Sequence, residues 1–397
     1  MSNSEDTFDY PYCDDVDKYE KTCRIGKGTF GEVFRAKHRI TKKEVALKRI
    51  LMDNEQEGFP ITAIREIKLL RSYKDENVVN LVEVCRSGTE INGKAISYLV
   101  FDFCHHDLAG LISEAHDKIK SLPNIRCIVQ QLLEGLNKLH LSKIIHRDMK
   151  SSNILITKDG QLKIADFGLA RPYSSNPKNR KYTNRVVTLW YRPPELLLGE
   201  RNYACAVDLW GVGCIMSELF TKDPIMKGST EQHQLQLIAD TIGPISPEVW
   251  PKVEETPLYN KLAPVINNGK QRKVFMLKMK RFTLNEHALN LLQKFFTLDP
   301  DKRITASSAL DHDFFWDDQD PQPADVAKKA LAKSLSSISQ SQFEFTARRG
   351  RAPNSAANNN NFVAPQMVNR GNNHRPINNH RPGPSSNNDG QYRDHVY

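Results

Sequence analysis

His146-Arg147-Asp148-Met149-Lys150-Ser151-Ser152-Asn153 sets a carboxylate, a lysine and an amide at the spacing H-R-D-x-x-x-x-N. In that spacing Asp148 can accept the proton of a substrate hydroxyl and Asn153 can ligate magnesium. Lys150, two residues after the base, can neutralise charge that develops on a transferred phosphoryl group. A carboxylate and an amide fall this close in ordinary loops by chance, so the block needs support from elsewhere in the chain. Asp166-Phe167-Gly168 supplies it at the expected distance, with Asp166 as the hard oxygen ligand that a bridging magnesium ion requires.

Upstream, Gly26-Lys27-Gly28-Thr29-Phe30-Gly31-Glu32-Val33 fits G-x-G-x-x-G-x-V, in which missing side chains let a turn backbone lie close over phosphate oxygens. Taken alone, it reads equally well as a glycine-rich hairpin with no ligand. A dinucleotide site is disfavoured, because a strand-like run, Val33 to Ala36, follows where a helix would be needed. Fifteen residues past Val33, the strand Val45-Ala46-Leu47-Lys48 brings Lys48 to where a cation would hold the α- and β-phosphates. A helix begun by Pro60, with Ile64, Ile67 and Leu70 as its apolar stripe, carries Glu66, the natural anion to orient Lys48.

Downstream, Arg171 to Thr188 is polar, basic and without regular pattern, as expected of a mobile activation segment. Thr183 is its candidate switch. A phosphate there would add about −1.5 to −2 charge and gather Arg65, Arg147 and Arg171, each beside a catalytic element. Thr188 instead reads as a structural hydroxyl for Asp148 or Lys150. Asp208 is expected to hold the His146-Arg147 backbone, and Glu195 to form a buried ion pair with Arg303.

The 397 residues are 39% hydrophobic and 26% charged, enough for one large or two modest domains. No run of about 18 apolar residues occurs and the acidic first residues lack an apolar core, so neither a membrane span nor a secretory signal is expected. Seven scattered cysteines with no C-x-x-C pair argue against a disulfide framework or a zinc site. The net charge of +9 fits nucleic acid, an acidic protein partner or plain basic patches, and decides nothing alone. Short strands dominate from Tyr19 to about Val100; helical patterns such as Arg126 to His140 and Ala206 to Phe220 dominate from Asp107 to about Phe315. Ala327 to Leu335 can form a short helix, and Asn354 to Asn388, rich in Asn, Pro, Arg, Ser and Gly, is expected to be disordered.

With every catalytic motif present and in order, the chain resembles the eukaryotic protein kinases across about Tyr19 to Phe315. That resemblance implies an α+β bilobal fold: an N-terminal tail (1–18), a β-rich N-lobe with one regulatory helix (19–104), a mainly helical C-lobe (105–316) and a largely disordered extension (317–397). ATP and Mg2+ would be the cofactors. Pro60 to Glu66 is similar to the cyclin-contacting helix of the cyclin-dependent kinases, and Val187-Thr188-Leu189-Trp190-Tyr191-Arg192 to their substrate-binding loop. By the same likeness Ile25, Gly26, Lys27, Gly28, Thr29, Phe30, Gly31, Val33 and Ala46 join Lys48 around the nucleotide, Phe101 guards the adenine pocket, and Asp102 and Cys104 offer it backbone hydrogen bonds.

Gly58 to Ala63, Phe101 to Cys104 and Tyr182 to Val187 narrow the resemblance to the transcription-elongation branch of that family, whose partner is a T-type cyclin. The likeness implies a nuclear heterodimer acting on Ser-Pro or Thr-Pro sites of the RNA polymerase II C-terminal repeats and of elongation factors. It implies no membrane association and no direct nucleic-acid binding. Phe30 stands where cell-cycle members carry an inhibitory tyrosine, and the helix bearing Glu66 is expected to need an external surface to reach Lys48. Another transcriptional or cell-cycle cyclin-dependent kinase is the competing reading. A dead kinase scaffold is opposed by the intact Lys48, Glu66, Asp148, Asn153 and Asp166, and a mitogen-activated kinase by the lack of a Thr-x-Tyr pair. The basic run Lys270 to Lys273 stays open between an import signal and a solvated face.

Overall fold

The computed structural model describes residues 13–28, 31–50, 59–87, 96–174, 176, 181–266, 274–316 and 324–350. Thr29, Phe30, Gly58, the run Lys270 to Lys273 and the stretch Asn354 to Asn388 lie outside them.

The N-terminal lobe is a six-stranded sheet in the order β1-β5-β6-β4-β3-β2. Its strands are β1 (Asp14–Asp15), β2 (Tyr19–Gly28), β3 (Gly31–His38), β4 (Glu44–Arg49), β5 (Leu81–Arg86) and β6 (Ser97–Asp102). In β4 the two-residue period buries Val45 and Leu47 on one face and leaves Ala46 and Lys48 on the other, toward the cleft between the lobes. Register is set on both sides, since Lys48 lies opposite Val33 on β3 and Leu99 on β6.

Helix α1 (Ile61–Ser72) starts immediately after Pro60, but its packing differs from the apolar stripe. Ala63, Glu66 and Leu70 are its buried residues, while Ile61 and Ile64 are 61% and 48% exposed. Steps of three each lag the helical turn, so Ile64, Ile67 and Leu70 spread over about 120° of the helix, with Leu70 buried, Ile67 half-buried against the core and Ile64 at the exposed edge. The sheet-facing side is occupied by the carboxylate of Glu66, and the isoleucines are left outward.

The C-terminal lobe forms around two long helices. In α2 (Leu122–Leu141) the residues Ile128, Leu132, Leu136 and Leu139 are fully buried as the sequence pattern requires, and the helix begins ahead of that pattern with Pro123 in its first turn. Helix α3 (Ala206–Thr221) buries every residue from Val207 to Leu219, the mark of a helix at the centre of a lobe. Short antiparallel pairings of β7 (His106–Asp107), β8 (Ile144–Ile145), β9 (Ile154–Ile156), β10 (Leu162–Ile164) and β11 (Arg171–Pro172) frame the catalytic loop between β8 and β9.

Residues 324–350, inside the stretch read as an extension beyond the C-lobe, are folded onto the domain. Helix α4 (Ala324–Ser336) packs on α2 with Leu331 and Leu335 buried, and α5 (Glu344–Gly350) follows against β2 and the helical turn after Asp107. Asp107 anchors this strap twice: its N–H donates to the Gln342 carbonyl, 3.0 Å, and its Oδ2 accepts the Glu344 N–H, 2.9 Å.

Candidate active site

The glycine hairpin roofs the cleft for a steric reason that the sequence motif encodes. Gly31 has φ +141°, and a Cβ on it would collide with the Arg49 carbonyl oxygen; a Cβ on Gly26 would press on Val33 at 3.3 Å. Beneath lies a cleft of about 240 Å³ walled by Ile25, Gly26, Gly31, Val33, Ala46 and Lys48 from above and Asn153, Leu155 and Asp166 from below. Phe101, Asp102 and Cys104 close its back. The Asp102 carboxylate is turned away to Lys43 and Asn80 at 2.7 and 2.9 Å, and its N–H donates to Asn80 O, so what Asp102 can offer a base is its carbonyl.

Lys48 Nζ donates to Glu66 Oε1 and Oε2 at 3.1 and 2.9 Å and to Asp166 Oδ1 at 3.0 Å. Burial alone would lower the Lys48 pKa and raise both carboxyls. The two anions outweigh that for Lys48, whose pKa is raised, and Lys48 outweighs it for Asp166, whose pKa is lowered; for Glu66 burial wins and the shift is upward. The Lys48 to Glu66 pair is thus formed in the single chain. Glu66 stands among the buried residues of α1 and lines the cleft, which brings it to Lys48.

Asn153 Nδ2 donates to the carbonyl and to Oδ2 of Asp148, at 2.8 and 3.0 Å, which leaves its Oδ1 as a hard oxygen donor. Asn153 and Asp166 line the same cleft, a donor set suited to magnesium with phosphate oxygens and water completing the shell. Asp166 sits at φ 64°, a left-handed conformation costly for a non-glycine residue.

Asp148 is held from several sides. Lys150 Nζ lies 2.7 Å from its Oδ2, and the N–H and Oγ1 of Thr188 both donate to its Oδ1 at 3.2 Å. Lys150 also donates to Thr188 Oγ1 at 3.2 Å, so Thr188 meets both predicted partners. Below, fully buried Asp208 accepts the N–H groups of His146 and Arg147 at 2.9 and 2.8 Å. Arg147 is strained at φ 68°, and Asp208 is the counterweight. His140 Nε2 reaches Asp208 Oδ2 at 2.9 Å; against its burial this raises the His140 pKa to about 9 and keeps Asp208 below the usual range. The expected Glu195 to Arg303 pair is present and bidentate, 2.7 and 2.9 Å.

Arg65, Arg147 and Arg171 stand near enough for the first two to depress the pKa of Arg171, after the larger effect of its burial. Thr183 is exposed, and its carbonyl accepts from Tyr203, whose hydroxyl accepts from Arg147 at 2.9 Å. Four residues on, Val187 takes φ 67°, and its carbonyl accepts from Arg192 Nε and Nη2 at 3.2 and 3.0 Å. That carbonyl is thereby committed to a side chain of the protein itself.

Sequence reading missed Phe343. It comes from the C-terminal strap, is 6% exposed, lines the same cleft and meets Phe103 edge-on with ring centroids 6.3 Å apart. No short-range signal marks it, because the residue it meets lies 240 positions earlier.

The protein kinase domain model matches residues 19–315, and the chain belongs to the protein kinase family, as a serine/threonine kinase of the cyclin-dependent group. It is 54% identical to cyclin-dependent kinase 9 of Xenopus tropicalis, over 90% of this chain and 96% of that one. It is also 54% identical to cyclin-dependent kinase 9 of Homo sapiens, over 87% and 91%. Among solved structures, a chain of the yeast RNA Pol II CTD kinase CTDK-1 complex is similar at 39% identity and TM-score 0.67, covering 77% of this chain and 95% of that one.

Proposed function

We propose that this chain, with a T-type cyclin and in the nucleus, transfers the γ-phosphate of ATP to serine or threonine followed by proline in the C-terminal repeats of RNA polymerase II and in elongation factors. Asp148 is the base, Lys150 neutralises the transferred phosphoryl group, and Asn153 and Asp166 hold Mg2+. Lys48, oriented by Glu66, holds the α- and β-phosphates. The carrying observation is Val187. With its carbonyl committed to Arg192, it cannot accept an N–H from the residue after the acceptor serine. An ordinary residue there would bury an unmet donor, and proline, which has none, escapes that cost. The relatives' names and the yeast complex, a CTD kinase, support the polymerase as substrate.

Phosphorylation of Thr183 is the proposed switch, drawing Arg65, Arg147 and Arg171 onto one anion. The exposed isoleucines Ile61 and Ile64 are the proposed seat of the cyclin, which would secure an α1 already paired with Lys48. The test is phosphate transfer by the purified cyclin complex to matched Ser-Pro and Ser-Ala repeat peptides. Transfer at least about tenfold faster to Ser-Pro supports the reading, one lost hydrogen bond being worth about that factor. Equal rates overturn it.

A further inference from the structure

Three arginines that converge on one threonine repel one another until an anion joins them, so the segment carrying Thr183 needs other anchors. Burial is the main reason the Arg171 pKa is lowered, and Arg65 and Arg147 lower it further. Arg147 is also strained, at φ 68°. The groups that hold its guanidinium are neutral. Nε donates to the Leu169 carbonyl at 2.7 Å, and Nη1 donates to the Tyr203 hydroxyl at 2.9 Å. That hydroxyl donates in turn to the Thr183 carbonyl at 2.6 Å, so one phenol links the catalytic loop to the residue read as the switch. These contacts engage two of the five guanidinium donors, so Arg147 can still meet a phosphate on Thr183.

The aromatic surroundings fix this bridge. Tyr203 is 4% exposed, in the loop before α3, and its ring packs on Tyr182 with centroids 5.2 Å apart and an interplanar angle of 50°. Arg147 lies over the Tyr182 ring at 5.9 Å, within cation–π range. Tyr182 is itself tied at both ends: its N–H donates to the Arg201 carbonyl at 2.9 Å and its hydroxyl to the Pro172 carbonyl at 3.2 Å. Pro172 belongs to β11, which pairs with β8 just ahead of the catalytic loop. The two ends of the activation segment are therefore joined to each other and to Arg147 by contacts that need no phosphate.

We propose that Tyr203 is a positioning residue for phosphoryl transfer by the kinase whose Thr183 is unphosphorylated: its hydroxyl, braced by the Tyr182 ring, holds the activation segment to Arg147 and so sets the basal rate. The inference rests on the reading of Thr183 as the switch. Once a phosphate on Thr183 bridges the arginines, the phenol link is redundant. The link reaches the chemistry because Arg147 precedes Asp148, while Thr188, five residues after Thr183, donates to Asp148. A segment released from Arg147 misplaces Thr188 and the substrate-binding loop and leaves the nucleotide cleft alone.

The test compares Tyr203→Phe with wild type in two backgrounds, fully phosphorylated at Thr183 and Thr183→Ala, using the complex purified with its cyclin. The alanine keeps the main-chain carbonyl that Tyr203 meets. The readouts are kcat/KM for a Ser-Pro repeat peptide and KM for ATP. In the Thr183→Ala background, loss of the hydroxyl strands a buried Arg147 N–H, so kcat/KM for the peptide is expected to fall at least about fivefold. In the phosphorylated enzyme the fall is expected to stay within about twofold, and KM for ATP to stay within about twofold in both backgrounds. Equal losses in the two backgrounds, the mark of a merely structural residue, overturn the proposal, and so does an unchanged rate in the Thr183→Ala background. If phosphorylated wild type and Thr183→Ala are equally active, the switch reading falls instead; the Tyr203→Phe loss in the Thr183→Ala background then still decides whether Tyr203 positions the segment. Should Tyr203→Phe fail to fold, Tyr182→Leu, which removes the ring that Tyr203 and Arg147 pack on, decides by the same comparison.

Discussion

Replacing Arg303 by methionine removes a charge whose every hydrogen bond is internal. The guanidinium donates to Glu195 Oε1 and Oε2 at 2.7 and 2.9 Å, to the carbonyls of Thr297 and Ala206 at 2.9 and 2.8 Å, and to Leu298 O at 3.4 Å. Both partners are essentially without solvent access, 0% and 1% by side chain. Leaving Glu195 buried without its cation costs about 3 to 5 kcal/mol. The carbonyls that lose a donor add about 1 kcal/mol apiece if none finds a replacement, so the loss is at least about 5 kcal/mol. For a folded unit of about 300 residues, with an unfolding entropy near 2.1 cal/mol/K per residue, that corresponds to a Tm drop of about 8 °C. Scanning fluorimetry at a fixed rate on the purified chain measures it. The double variant Arg303→Met/Glu195→Leu removes the stranded charge but not the unmet carbonyls, and is expected to regain only about half of the loss. A single variant within about 2 °C of wild type would refute the ledger, and so would a double variant that recovers fully.

Asp148→Asn is expected to abolish phosphate transfer while nucleotide and cyclin binding persist; undiminished turnover of the purified complex would remove Asp148 as the base. Thr183→Ala should lower activity with cyclin bound, because three mutually repelling arginines lose their shared anion; wild-type rate and cyclin affinity would refute the switch. Phe343→Ala is expected to raise KM for ATP about three- to tenfold, since an aromatic wall of the cleft is lost, with kcat at saturating ATP changed less. The His140 to Asp208 pair predicts a stability dependence at alkaline pH. The folded His140 pKa, about 9, lies above its ordinary 6.5, so its contribution is complete below pH 6.5 and lost as pH rises through about 9. Asp208 is depressed instead, so its share is present above pH 3.8 and lost only as pH falls through its lower folded value. Between pH 6 and 9.5 the stability of wild type should decline by on the order of 3 kcal/mol, read as a fall in Tm of about 5 °C, and stay flatter in His140→Gln.

The catalytic loop was legible because its chemistry lies within eight consecutive residues, His146 to Asn153, whose side-chain types and spacing are the function. Lys48, Glu66 and Asp166 were legible by their order along the chain. The supports Asp208, Thr188 and Arg303 followed from where they stand relative to those motifs. Helix α1 was misread in part, because hydrophobic spacing assumes that apolar residues seek this chain's own core, whereas Ile61 and Ile64 face outward. Phe343 could not be read at all. Its role depends on a strap that returns to Asp107, a contact between positions more than 230 residues apart. Tyr203 was equally hidden, since a lone tyrosine ahead of a helix bridges Arg147 to Thr183 only once the activation segment folds beside it. The sequence by itself determined the reaction, whose groups are encoded by residue type and short spacing. Tertiary structure alone decided the burial, long-range pairing and backbone strain that hold those groups, because these are properties of surfaces brought together by folding.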